Sequence, residues 1–122
     1  MKTPERKQCV LVVDDHPKVL RFIEIDLKLC GFKVITTTSG SEALELVKSA
    51  QPDIVLLDII MPGMDGFEVL RRLREFTQLR VIAFSASPGN YHEAMRLGAN
   101  DFVPKPFQPE EMVKRIEALL SQ

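Results

Sequence analysis

Asp14 and Asp15 stand side by side after one apolar run, Asp58 closes a second, Ser85 closes a third, and Lys105 follows a fourth, shorter one. Carboxylates crowded together repel, and each sees its ionised form disfavoured unless a cation intervenes. A hard divalent cation is the expected answer. Mg²⁺ takes oxygen ligands in octahedral geometry, keeps several waters, and uses one or two carboxylates together with phosphate oxygens. Apart from His16, no histidine or cysteine stands at these positions, so zinc or copper has little support. His16 itself reads as a loop residue rather than a ligand. Each aspartate taken singly could cap the helix that follows it. The double Asp, the single Asp, the hydroxyl and the Lys-Pro, each behind a different apolar run, point jointly to chemistry.

Those groups act together only if the chain brings the ends of its apolar runs side by side. Cys9-Val10-Leu11-Val12-Val13 is short, continuous and rich in β-branched residues, the pattern of a strand buried on both faces. Pro17 suits the first turn of a helix in which Leu20, Ile23, Leu27 and Cys30 recur at helical steps until Gly31 stops it. A strand over 32–36 follows. Ser39 and Glu42 have the spacing of a capping box opening a helix through Ala50, and a strand over 53–57 ends on Asp58. The loop 59–65 contains Pro62 and Gly63 and leads to a helix carrying Phe67, Leu70 and Leu73. A strand over 80–84, a helix over 91–97 closed by Gly98, and a short strand over 101–103 come next. Pro109 then opens a last helix with Met112, Val113, Ile116, Leu119 and Leu120.

Five βα units with apolar strands predict an α/β fold, a doubly wound parallel sheet covered by helices on both faces through right-handed crossovers. In such a sheet the ligand site lies outside the carboxyl ends of the strands, near the topological switch point. Asp14, Asp15, Asp58, Ser85 and Lys105 all fall there. The 122 residues fit one domain, 1–122 with a core of about 8–121, and show no repeat, linker or low-complexity segment.

Through VVDDHP at 12–17, LLDIIMPGMDG at 56–66, FSAS at 84–87 and DFVPKPF at 101–107, the chain resembles the response regulator receiver domains of two-component signal transduction, over essentially its whole length. The resemblance implies a flavodoxin-like, five-stranded sheet of order 2-1-3-4-5 with five helices. It implies that Asp58 accepts a phosphoryl group from a histidine kinase or a histidine phosphotransfer protein. Asp14 and Asp15 would hold Mg²⁺ with Asp58 and the backbone carbonyl of Ile60, while Ser85 and Lys105 would contact the phosphoryl oxygens. Phe102 would act with Ser85 as the switch, changing the face of helix 4, strand 5 and helix 5 toward a downstream effector domain or protein. Phosphorylation-dependent homodimers are a further implication, and Lys105-Pro106 is a candidate cis peptide. One departure is visible: the stretch from Ser85 to Lys105 is shorter than the family pattern, around Ser87-Pro88-Gly89.

Other classes fit less well. A haloacid dehalogenase-like phosphatase would place a second acid two residues after its aspartate, where this chain has Ile60, so a signalling phosphoacceptor is expected rather than an enzyme with substrate turnover. A flavin or nucleotide carrier would need a glycine-rich loop after the first strand, where Asp14 and Asp15 would repel a phosphate. Sixteen Lys and Arg against seventeen Asp and Glu give a net charge of -1, which leaves no cationic excess for a nucleic-acid backbone. Arg71, Arg72 and Arg74 read as a solvated helix face. Cys9 and Cys30 lie in apolar runs without CxxC spacing and are expected to be buried, reduced thiols of a cytoplasmic protein. The polar lead 1–8 has no apolar h-region, and no run approaches the roughly 20 residues of a membrane helix.

Overall fold

The computed structural model describes residues 6–122, so the first five residues of the polar lead lie outside the described part. Five strands, β1 (Cys9–Val13), β2 (Lys33–Thr37), β3 (Ile54–Asp58), β4 (Arg80–Ser85) and β5 (Asp101–Pro104), alternate with five helices. The helices are α1 (Pro17–Leu29), α2 (Gly40–Ala50), α3 (Gly66–Leu73), α4 (Asn90–Arg96) and α5 (Pro109–Leu120). All pairings are parallel and the order is β2-β1-β3-β4-β5, as the resemblance implied.

Alternation along each strand explains the uninterrupted apolar runs. Leu11, Val13, Val55 and Leu57 face α2, α3 and α4, packing with Val47, Val69 and Leu73. Val10, Val12, Ile54 and Leu56 face α1 and α5, packing with Ile23, Leu27 and Ile116. A strand covered on both sides has no polar face to spare. β2 differs: it is an edge strand, exposed at Lys33 and half-buried over the next three residues, so the expectation of uniformly buried strands fails there.

Local signals set the element ends. Ser39 Oγ accepts from Glu42 N at 3.2 Å, the first half of the expected capping box. The second half is redirected, because Thr37 Oγ1 donates to the Glu42 carboxylate and accepts from Ser39 N at 3.1 Å. Thr37 thus stands between the two members of the box. Cys9 is buried, but Cys30 caps the end of α1 in solvent and corrects the expectation of two buried thiols. No helix among the described residues is long and apolar enough to cross a membrane.

Candidate functional site

The sheet order reverses between β1 and β3, and the two strands run side by side in register from Val10 with Ile54 to Val13 with Leu57. The next residues along each chain are Asp14 and Asp58, so parallel pairing alone puts two carboxylates next to one another. β4 brings Ser85 one residue beyond the partner of Asp58, and β5 delivers Lys105 immediately after Pro104, the partner of Ser85. Ligand oxygens of Asp14, Asp15 and Asp58 and a ring nitrogen of His16 all lie within 4.8 Å of one another.

Lys105 Nζ is 3.0 Å from Asp14 Oδ2 and 3.5 Å from Asp58 Oδ2, and it rests 4.9 Å from the centroid of the Phe84 ring. A ring face below and two carboxylates ahead fix the ammonium. Asp58 Oδ1 accepts from Ile60 N at 3.3 Å, which folds the chain back over the strand end. Gly66 makes that turn possible: its N donates to Ile59 O at 2.8 Å, and a Cβ there would collide with the Asp58 carbonyl oxygen.

Asp14 is fully buried and Asp58 is 2% exposed. Burial pushes the Asp58 carboxyl up to about 6, with Asp14 adding to the rise and Lys105 opposing it. One ammonium therefore does not neutralise the cluster. Asp15 Oδ1 is buried without a hydrogen-bond partner, although His16 Nδ1 lies 3.2 Å away. Excess negative charge and an orphaned buried oxygen at the mouth of the cluster are what a hard cation would satisfy, and the donor set fits one.

All the predicted side chains of the site, Asp14, Asp15, Asp58, Ser85 and Lys105, stand at the carboxyl edge of the sheet. Ser85 is fully buried and Phe102 is nearly so, lodged against Tyr91 of α4. Lys105-Pro106 is cis. His16, read as a bystander, instead donates its backbone N to Asp14 Oδ1 at 2.8 Å and sets its ring against Asp14 and Asp15. Direct adjacency to the acidic pair was the available signal. Asn90, whose side chain reaches Ser85 Oγ at 3.0 Å, gave no signal at all. Of the basic stretch, Arg71 and Arg72 pair with Glu68 in solvent, but Arg74 turns inward to Gly98 O and Thr77 O, correcting the reading of a wholly solvated face.

The sequence profile of the response regulator receiver domain matches residues 10–117. The chain belongs to this family. Receiver domains are signalling domains of two-component systems, and this one is similar in structure to the receiver domain of the Francisella response regulator 1452, with a TM-score of 0.89, 32% identity, and coverage of 94% of this chain and 98% of that one. It is equally close to the beryllofluoride-activated N-terminal receiver domain of Klebsiella pneumoniae RstA, with a TM-score of 0.89, 30% identity, and coverage of 94% and 100%. In sequence it is 38% identical to a Guillardia theta protein described as "Probable transcriptional regulator ycf27", over 95% of this chain and 46% of that protein. The receiver domain thus spans less than half the length of that relative.

Proposed function

We propose that Asp58 is the phosphoacceptor of this receiver domain and that Mg²⁺ supports the transfer. The carrying observation is the convergence on Asp58 of one fixed ammonium and two further carboxylates at the sheet's switch point. Asp14 and Asp15, with Asp58 and the Ile60 carbonyl, would hold the ion, which supplies charge neutralisation at the phosphoryl oxygens. The donor is a phosphohistidine of a histidine kinase or a histidine phosphotransfer protein. Its P–N bond breaks, the electron pair stays with the imidazole, which takes up a proton, and a P–O bond forms to a carboxylate oxygen of Asp58.

The chain's own residues position and neutralise. Burial keeps bulk water away from Asp58, and its partial desolvation raises the energy of the free carboxylate relative to the acyl phosphate. Lys105, already within Coulombic reach of Asp58, meets a phosphoryl oxygen, and Ser85 donates its hydroxyl proton to another. Ser85 and Phe102 then alter the face of α4, β5 and α5, and a downstream effector domain or protein reads that face. The ycf27 relative, described as a transcriptional regulator, favours transcription as the output, with phosphorylation-dependent homodimers as one means. The role is cytoplasmic signalling rather than turnover of a substrate.

The test uses a small acyl phosphate as donor with Mg²⁺. Asp58→Asn abolishes the acid-labile, hydroxylamine-sensitive label, whereas Asp53→Asn, at the opposite end of β3 and bonded to Cys9 N, keeps it. Label retained in the Asp58 variant rejects the assignment.

A further inference from the structure

Ser85 Oγ accepts two hydrogen bonds, from Ser87 N at 3.1 Å and from Asn90 Nδ2 at 3.0 Å. A hydroxyl oxygen has two lone pairs and one proton. Both lone pairs are therefore occupied, and the proton alone remains to be given. Asn90 is the first residue of α4, and the next residue, Tyr91, packs edge-on against Phe102 with ring centroids 5.8 Å apart and planes at 88°. Consecutive residues of one helical turn thus hold the two side chains that end or line β4 and β5. The rest of α4 is short: the helix has seven residues, with Ala94 buried and Met95 packed against the core. In a helix this short, the contacts of the first turn are a large share of what holds it.

We propose that Asn90 is a positioning residue with two effects, keeping the Ser85 proton available to the phosphoryl group and carrying any displacement of Ser85 into the first turn of α4. The inference rests on Ser85 being the phosphoryl donor proposed above. Because the Asn90 amide only donates to Ser85, it leaves the hydroxyl proton unclaimed, and because it is attached to α4, a movement of Ser85 toward Asp58 pulls on that helix. Tyr91 moves with it and alters the packing around Phe102. Only residues 86–89 separate Ser85 from the helix, which keeps Asn90 within reach of the hydroxyl.

The experiment compares wild type, Asn90→Ala and Asn90→Asp. With Mg²⁺ and beryllofluoride, amide NMR shifts at Ile60 and Lys105 report site occupancy, and shifts at 91–97 report α4. Asn90→Ala is expected to keep the Ile60 and Lys105 changes and lose most of those in α4. Asp can only accept, so Asn90→Asp draws the Ser85 proton away and slows phosphorylation from a small acyl phosphate about tenfold or more, as Ser85→Ala does, whereas Asn90→Ala slows it far less. Wild-type α4 changes in Asn90→Ala, or equal rates in the two Asn90 variants, overturn the proposal. Loss of the Ile60 and Lys105 changes in Asn90→Ala also overturns it, since Asn90 would then be building the site. A wild type without changes at Ile60 and Lys105 defeats the phosphoacceptor reading itself.

Discussion

Lys105 Nζ lies 3.0 Å from Asp14 Oδ2, closer than its 3.5 Å to Asp58 Oδ2, so its hydrogen bond goes to Asp14 and only its charge reaches Asp58. The fully buried Asp14 side chain thereby aims the lysine while it would also serve the metal. An ammonium and a divalent cation would then compete for the same carboxylates.

Removing that competitor has a measurable consequence. Two unit charges about 4 Å apart interact by roughly 4 kcal/mol at an effective dielectric near 20. Lys105→Met should accordingly bind Mg²⁺ at least several-fold more tightly while phosphorylating far more slowly. NMR titration gives the first quantity and labelling the second; unchanged Mg²⁺ affinity would place the metal away from Asp14 and Asp58.

Asp58 makes stability depend on pH. Its carboxyl titrates near 3.8 when unfolded and near 6 when folded. Between those values the folded chain holds a proton that the unfolded chain has released, so stability falls as pH rises through the window and the cost is complete above about 6. Asp58→Asn removes the ionisation. Without divalent ions, the variant should exceed wild type by about 1–3 kcal/mol at neutral pH and match it below about pH 4. Urea unfolding at both pH values decides; a difference that persists in acid would assign the effect to packing.

Ile60 bonds Asp58 through its backbone and leaves its side chain half exposed beside the site. Nothing polar there can orient a water toward an acyl phosphate. Ile60→Glu or Ile60→Asn should therefore shorten the phosphoryl lifetime without affecting its formation. Decay followed after removal of the donor checks this, and equal or slower decay in both variants would give control of water to another residue, such as Ser87.

Arg74 ties α3 to the segment that follows α4. Its guanidinium donates to Gly98 O at 2.9 and 3.1 Å, to Thr77 O at 3.1 Å and to Asn100 Oδ1 at 3.2 Å, and Asn100 Oδ1 accepts in turn from Val81 N. Arg74→Met leaves those carbonyls unsatisfied and should cost about 1.5–3 kcal/mol. Arg71→Met, which loses only a solvent-exposed pair with Glu68, should cost far less. Thermal or urea unfolding separates the two, and equal costs would make Arg74 a surface residue after all.

By itself the sequence determined the alternation of elements and the types of the groups gathered at the carboxyl edge of the sheet. Apolar runs with Gly and Pro punctuation mark β1 to α5 to within a residue or two, because the need to bury both faces of a central strand acts on every position of the run. The acidic, hydroxyl and lysine residues were legible for a related reason: a parallel sheet forces each strand's last residue to one edge, so sequence position already implies spatial company. Tertiary structure alone decided the contacts that depend on lateral packing. The exposure of Cys30, the turn of Arg74 toward Gly98, the ring of His16 against Asp15 and the reach of Asn90 to Ser85 all depend on where one element lies against another. Periodicity states which face of a helix is apolar. It does not state how far along its neighbour that helix sits, and a hydrogen bond of 3.0 Å is made or lost within less than a residue's rise along a helix.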